Sequence, residues 1–104
     1  MKQYYVYMLL CSDGSLYIGI TNDLERRVWE HESGWAPECY THTRRPVSLV
    51  YCAEFANVDD AIRWEKQVKG WGRAKKLALA DGDWDRVKQL SRARPSTDTV
   101  SFMN

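Results

Sequence analysis

The sequence has no apolar run that approaches the length of a membrane-spanning helix. Its first three residues lead directly into a strand-like segment, without the apolar core of a secretory signal. Both absences predict a cytoplasmic protein. The cysteines Cys11, Cys39 and Cys52 form no CxxC pair, which favours free thiols in a reducing compartment. A zinc site that joins Cys39 to His42 is less favoured, because metal sites normally show two close ligand pairs.

The chain also lacks a strong charge of either sign, since 15 basic and 14 acidic residues leave a net charge of +1. Any binding of nucleic acid must therefore depend on a local basic patch. Aromatic residues, at 12%, are abundant, and 104 residues predict one domain with its own core. We assign residues 1–94 to this domain. Residues 95–104, which lack a core-forming pattern, are predicted to be a flexible tail.

The first twenty residues predict a β-hairpin. Residues 4–10 and 16–20 are aromatic and aliphatic without charge, which is typical of strands. The segment between them, Ser12-Asp13-Gly14, fits a three-residue loop whose glycine adopts the left-handed conformation. With this loop, residues 9 and 17 lie opposite one another. That register places three tyrosines and a glycine on one face of the sheet: Tyr5, Tyr7, Tyr17 and Gly19. A two-residue loop would move Tyr17 to the other face.

A helix is predicted after the hairpin, with Asn22 as its N-cap, Glu25 placed to reach back to the cap, and Gly34 as its end. Helical periodicity assigns Leu24 and Val28 to its inward stripe.

His31 falls between the two residues of this stripe in angle and Arg27 at the edge of the stripe, and the two side chains are neighbours because they are four residues apart. A guanidinium and an imidazole that point toward a sheet bearing phenols need polar partners. The arrangement indicates a site for an anion.

The segment from Trp35 to Arg45 reads as a loop that interleaves aromatic and basic residues. It suits the rim of a nucleic-acid site, and equally a solvated connector. Residues 48–55 predict a third strand, and Asn57 predicts the N-cap of a second helix.

In that second helix the predicted inward stripe has four members: Val58, Ala61, Ile62 and Val68. Glu65 lies in the middle of this stripe. A carboxylate that faces a core must be paired, protonated or bound to a cation. The structural alternative is a salt bridge to Arg27 or to a neighbouring lysine.

Six basic residues against one acidic residue follow between positions 63 and 76: Arg63, Lys66, Lys69, Arg73, Lys75 and Lys76. Such a run is either a solvated helical face or a set of contacts to phosphates. Gly70 and Gly72 predict the end of the second helix and the start of a third near Arg73. A last short helix is predicted over residues 84–92.

Several of these residues form an ordered set. The segments Tyr5-Val6-Tyr7 and Tyr17-Ile18-Gly19, followed by Arg27 and His31 at their spacings, resemble the GIY-YIG nuclease domain, with Tyr5 where the first signature has glycine. The resemblance continues through residues 44–51 and 64–76 and covers roughly residues 3–92. These segments are similar to the small stand-alone bacterial branch of the superfamily, the YhbQ-like or UPF0213-type proteins.

The resemblance implies an α+β fold in which helices flank a three-stranded antiparallel sheet, in the order ββαβαα(α). It also implies an endonuclease that hydrolyses phosphodiester bonds in DNA, structure- or lesion-directed and connected with DNA repair, with little base readout. We expect a monomer or a weak dimer.

The implied catalytic residues are Tyr7, Tyr17, Arg27, His31 and Glu65. One of the two tyrosines takes the proton from water, with help from His31 or the metal, and the sequence does not choose between them. Arg27 offsets charge on the phosphoryl oxygens. Glu65 is the single protein ligand of Mg²⁺ or Mn²⁺, which stabilises the leaving oxygen.

The implied contacts to nucleic acid are aromatic and basic: Tyr5, His42, Arg44, Arg45, Lys66, Lys69, Arg73, Lys75 and Lys76. One departure from the family is the absence of an asparagine after the glutamate helix, since beyond Glu65 only Asn104 remains. Lys69 or Lys75 could take its place. The alternative function is accordingly a catalytically weak nucleic-acid-binding module that keeps the nuclease fold.

Overall fold

The computed structural model of the chain describes residues 3–35 and 41–92. Three strands form one antiparallel sheet in the order β2-β1-β3, and four α-helices accompany it. The elements in chain order are β1 Tyr4–Cys11, β2 Leu16–Thr21, α1 Leu24–Ser33, a short 3-10 helix His42–Arg44, β3 Val47–Phe55, α2 Val58–Lys69, α3 Arg73–Ala80 and α4 Trp84–Arg92. The predicted fold class and element order are confirmed, and the 3-10 helix is added.

The hairpin has the predicted register. Leu9 lies opposite Tyr17, and Tyr7 lies opposite Gly19. The loop is closed by the Cys11 N–H, which donates to the Ser15 carbonyl at 2.9 Å, and Gly14 adopts a left-handed φ of 84°. Because side chains alternate along each strand, this register brings the three tyrosines and Gly19 to one face.

The two faces of the sheet are covered by different helices. On the face of Tyr7, strand residues form a buried cluster against which Leu24 and Val28 of α1 pack. On the opposite face, the Trp64 indole of α2 donates a hydrogen bond of 3.1 Å to the hydroxyl of Tyr51. Tyr51 pairs with the fully buried Met8, so it belongs to the face that alternation assigns to even positions of β1. Helices α1 and α2 therefore lie on opposite faces.

The start of α1 differs from the prediction by one residue. Asp23 is the N-cap, and its carboxylate accepts from the backbone N–H of Arg26 at 3.2 Å. Asn22 could make the same kind of bond, but a charged carboxylate gains more from the helix dipole. Gly34 ends the helix in the left-handed conformation, with φ of 69°, as predicted.

The cap of α2 is Asn57, as predicted, and its side chain accepts from two backbone N–H groups. The predicted stripe is only half right, because Ala61 and Val68 are fully buried whereas Val58 and Ile62 are exposed. The buried stripe consists of Ala61 and Val68, and the half-buried Trp64 beside them is held by its bond to Tyr51. At 100° per residue, Val58 and Ile62 lie at the margin of this stripe.

A second compact unit begins at Gly72 and contains α3 and α4, which contact each other. Helix α3 begins at Arg73 and α4 spans Trp84–Arg92, as predicted. Within the described residues, no helix is long and apolar enough to cross a membrane. The predicted tail, residues 95–104, lies outside the described part of the chain and stays a prediction.

Candidate active site

A phenol and an imidazole meet in the core beneath α1. The hydroxyl of Tyr7 lies 3.0 Å from Nε2 of His31, and both residues are 1% exposed. The other ring nitrogen, Nδ1, lies 2.6 Å from Oγ1 of the buried Thr41. The Tyr17 ring packs 4.9 Å from the imidazole, measured between centroids. Three of the predicted catalytic side chains are thus in contact.

The imidazole of His31 is neutral at neutral pH. Burial, and then the positive charge of Arg27, lower its pKa from 6.5 to about 4, while Glu30 acts in the opposite direction. A neutral imidazole has one donor and one acceptor nitrogen. If Nδ1–H donates to Thr41, Nε2 accepts from the Tyr7 hydroxyl, and the other tautomer reverses both bonds.

Arg27 joins the phenol to the protein surface. Its Nε–H donates to the Tyr7 hydroxyl at 3.3 Å, and one terminal nitrogen donates to Glu30 at 2.9 Å. The second oxygen of Glu30 accepts from Arg26 at 3.2 Å. The Arg27 side chain is 30% exposed and lines a surface cleft. Hydrogen bonds from the arginines, with that of Arg27 the largest effect, lower the pKa of the Glu30 carboxyl.

Gly19 makes room for the phenol. A Cβ at this position would collide with the Tyr7 hydroxyl and ring, and the backbone of Gly19 has no positive φ. The glycine is required here by close approach and not by conformation. Its place in the Tyr17-Ile18-Gly19 segment therefore has a direct steric reason.

A cleft opens where Arg27 reaches the surface. Its volume is about 280 Å³. The lining residues come from the end of β2 and the first two turns of α1: Thr21, Asn22, Asp23, Arg26, Arg27 and Glu30. Two guanidinium groups at one cleft suit an oxyanion ligand such as a phosphate.

Glu65 comes from α2, on the other face of the sheet. Its side chain is 13% exposed and forms a salt bridge of 3.0 Å with Lys69. A salt bridge to a neighbouring lysine was the structural alternative that the sequence predicted. Arg27, the other partner considered for Glu65, forms an ion pair with Glu30. Helix α2 also contacts β2, the edge strand that carries Tyr17.

One carboxylate fits a divalent metal only when water and substrate oxygens complete the coordination, as Mg²⁺ permits. Among the described residues, no group of three or more His, Cys, Asp and Glu side chains could hold a metal ion. For the zinc alternative, Cys39 lies outside the described residues, and both nitrogens of His31 are already hydrogen-bonded.

The residues predicted to contact nucleic acid come from several elements of the chain. Arg44 pairs with Asp13 at 3.1 Å, and Arg45 donates to the carbonyl groups of His42 and Ser33. The Nδ1 of His42 is buried and has no hydrogen-bond partner within residues 3–35 and 41–92.

On α2, Lys66 is exposed, whereas Lys69 is bound to Glu65. Arg73, Lys75 and Lys76 belong to α3 of the second unit. Tyr5 lines a groove on the other side of α1 from the cleft.

Sequence reasoning missed two residues of the site. Glu30 could have been found, because it lies three residues after Arg27 and four after Arg26, at the spacings of helical ion pairs. Thr41 gave no signal, since a threonine in a loop without periodicity has no predictable partner.

Comparison with known proteins matches residues 3–78 to the model of the GIY-YIG catalytic domain. A UPF0213 protein of Staphylococcus saprophyticus is 42% identical over 79 residues, which are 76% of this chain and 95% of the relative. The UPF0213 protein BH0048 of Halalkalibacterium halodurans is 41% identical over 91 residues, which are 85% of this chain and 96% of that protein.

Two solved structures are similar as well. The solution NMR structure of BH0048 has a TM-score of 0.51 at 40% identity, covering 86% of this chain and 97% of that one. The solution NMR structure of EF2693 from E. faecalis has a TM-score of 0.54 at 32% identity, covering 91% and 93%. With the motif residues gathered beneath α1, these matches show that the chain belongs to the GIY-YIG domain family, among the UPF0213 proteins.

Proposed function

We propose that this protein is a metal-dependent endonuclease that hydrolyses phosphodiester bonds in DNA, with its reaction centre at the cleft beside Arg27. The observation that carries the proposal is the buried Tyr7 hydroxyl, held by His31 on one side and by Arg27 on the other. Membership of a nuclease superfamily supports the reaction class. Recognition of DNA by its structure or lesions, a role in repair and a monomeric or weakly dimeric state are parts of the same proposal.

Tyr7 is the tyrosine that we assign as proton acceptor for the attacking water, and it acts as the phenolate, after its own hydroxyl proton has been released to solvent. Its hydroxyl touches both polar groups, and the Tyr17 ring packs against the Tyr7 and His31 rings. A phosphate bound by the Arg27 guanidinium in the cleft lies next to that hydroxyl, because Nε of the same group is 3.3 Å from it. Arg27 thus positions the substrate and the base together.

His31 orients the phenol and does not act as the final base. A phenol ordinarily has a pKa of about 10, so transferring its proton to an imidazole of pKa about 4 would cost roughly 8 kcal/mol. A neutral imidazole at 3.0 Å nevertheless fixes the direction of the hydroxyl. The guanidinium of Arg27, whose Nε–H donates to this oxygen, stabilises the phenolate that remains after the proton is lost, and a bound metal would add positive charge nearby.

Glu65 is the residue that would hold the metal, as the single carboxylate that leaves most coordination positions to water and phosphate oxygens. Its bond to Lys69 keeps the carboxylate oriented, and the lysine has to release or share it when a cation binds. The ion, when bound, supplies charge stabilisation for the phosphoryl and leaving oxygens. Lys66 and the basic residues of α3 are proposed to contact the DNA backbone.

The test is cleavage of branched, single-stranded and duplex DNA in Mg²⁺ by the wild type and its variants. We expect Tyr7→Phe, Arg27→Lys and Glu65→Gln each to lose at least about 100-fold in rate while they still bind DNA. The exposed Glu54 and Arg63 supply matched controls, Glu54→Gln and Arg63→Lys, which should cut like the wild type.

A second measurement examines the placement of the metal. Mn²⁺ added to the protein should broaden the NMR signals of Tyr17 and Arg27 in the wild type and leave them sharp in Glu65→Gln. If Mn²⁺ broadens signals of α2 but not those of Tyr17 and Arg27, the metal does not bind at the Arg27 cleft and the single-site mechanism is wrong. Binding of DNA without cleavage by the wild type would instead favour the catalytically weak binding module.

A further inference from the structure

A second groove runs along the other side of α1, and no step of the proposed hydrolysis takes place in it. Its volume is about 700 Å³. It is lined by apolar residues of α1 and the sheet and by the polar start of the helix: Tyr5, Asn22, Asp23, Leu24, Glu25, Val28, Trp29, Glu32 and Leu49. Trp29 is 55% exposed and Leu49 is 40% exposed, so the apolar floor is open to solvent.

The helix separates two chemically different surfaces. Glu25, Trp29 and Glu32 follow the i, i+4, i+7 spacing, so they form one stripe on the groove side. The two arginines and Glu30 project into the other half of the helix circumference, toward the cleft. Among residues 3–35 and 41–92, no basic residue lines the groove, whereas two line the neighbouring cleft.

The negative charge of the groove is uncompensated. Glu25 and Glu32 are exposed, and within the described residues neither has a hydrogen-bond or ion-pair partner. Glu54 adds a further carboxylate on the same face, because it pairs with Tyr5 across β1 and β3. A phosphate backbone would be repelled by this charge, whereas Lys and Arg side chains would be attracted.

We propose that this groove, formed by Tyr5, Leu24, Val28, Trp29 and Leu49 between Glu25 and Glu32, docks a cationic amphipathic peptide segment of a partner protein. An aliphatic or aromatic anchor of the partner fills the apolar floor, and its basic residues meet the two glutamates. The exposed Trp29 has the character of a binding hot spot, since large aromatic residues carry much of the energy of such interfaces. Binding there leaves the Arg27 cleft free for nucleic acid.

The test uses a fluorescein-labelled, helical Leu/Lys peptide of about 14 residues, and the same peptide with Glu in place of every Lys. In fluorescence anisotropy at low salt we expect the Lys peptide to bind the wild-type protein with a Kd below about 50 μM, and the Glu peptide not to bind. Because the contact is partly electrostatic and solvent-exposed, the affinity should fall as salt is raised.

Matched variants test whether the peptide binds at the groove. The double variant Glu25→Lys/Glu32→Lys and the single variant Trp29→Ala should each weaken the Lys peptide at least about tenfold. Asp81→Lys/Asp85→Lys changes the net charge by the same amount at exposed positions of the second unit and should bind like the wild type. DNA binding by Trp29→Ala should be unchanged.

Three outcomes would overturn the proposal. They are equal weakening by both charge-reversed double variants, equal binding of the Lys and Glu peptides, and no binding of the Lys peptide by a folded wild type. A dimer in sedimentation that Glu25→Lys/Glu32→Lys dissociates would show that the groove holds a second copy of the chain, which also refutes a peptide partner.

Discussion

The pH dependence of stability gives a direct measure of the environment of His31. The imidazole is 1% exposed and its pKa is lowered from 6.5 to about 4, so the unfolded chain binds a proton more readily than the folded chain. Stability is therefore fully present above pH 6.5 and is lost as the pH falls from 6.5 toward 4. Between pH 7.5 and pH 5.0 these two pKa values predict a loss of about 2 kcal/mol in the free energy of unfolding.

The assay is urea denaturation followed by tryptophan fluorescence at both pH values. His31→Gln removes the titrating group and keeps a polar side chain, so it should lose less than about 0.5 kcal/mol over the same interval. All other ionisable groups are common to the two proteins, so their effects cancel in the comparison. Equal losses in wild type and variant would show that His31 is not the buried neutral group described here.

Two further substitutions test the packing and orientation of the site. Gly19→Ala should lower the free energy of unfolding by about 2 kcal/mol and abolish cleavage, because its Cβ collides with the Tyr7 hydroxyl. The control Asn57→Ala, which removes the α2 cap, should lower the free energy of unfolding by about 1 kcal/mol without changing the cleavage rate. Similar activity of Gly19→Ala and Asn57→Ala would contradict the steric argument. Glu30→Gln should lower kcat about tenfold by loosening Arg27, and an unchanged kcat in steady-state assays would refute the positioning role.

Local sequence signals were reliable where geometry follows from a few neighbouring residues. The length of the loop at Gly14 was enough to set the pairing of Leu9 with Tyr17, because alternation then assigns every side chain of both strands to a face. The glycine that ends α1 and the asparagine that caps α2 were equally readable. The cap of α1 was one residue off, since neighbouring Asn and Asp residues compete for the same role.

The partners of the polar groups were not readable in this way. The bond from His31 to Thr41 joins residues across a loop without a periodic pattern, and the bond from Trp64 to Tyr51 joins α2 to β3 outside the expected stripe. Arg44 and Arg45, expected at a nucleic-acid rim, bind carboxylate and carbonyl groups of their own chain, and the sequence did not predict these partners. Long side chains reach partners that sequence spacing does not define.

By itself, the sequence determined the strand order in the chain, the face that carries Tyr7 and Tyr17, and the helical neighbours Arg27 and His31, since these follow from local periodicity and turn length. Only the tertiary structure decided which groups share hydrogen bonds, that His31 is buried and neutral, and that α1 and α2 cover opposite faces. The physical reason is that burial and long-range contacts depend on how elements pack, and a pKa depends on that packing.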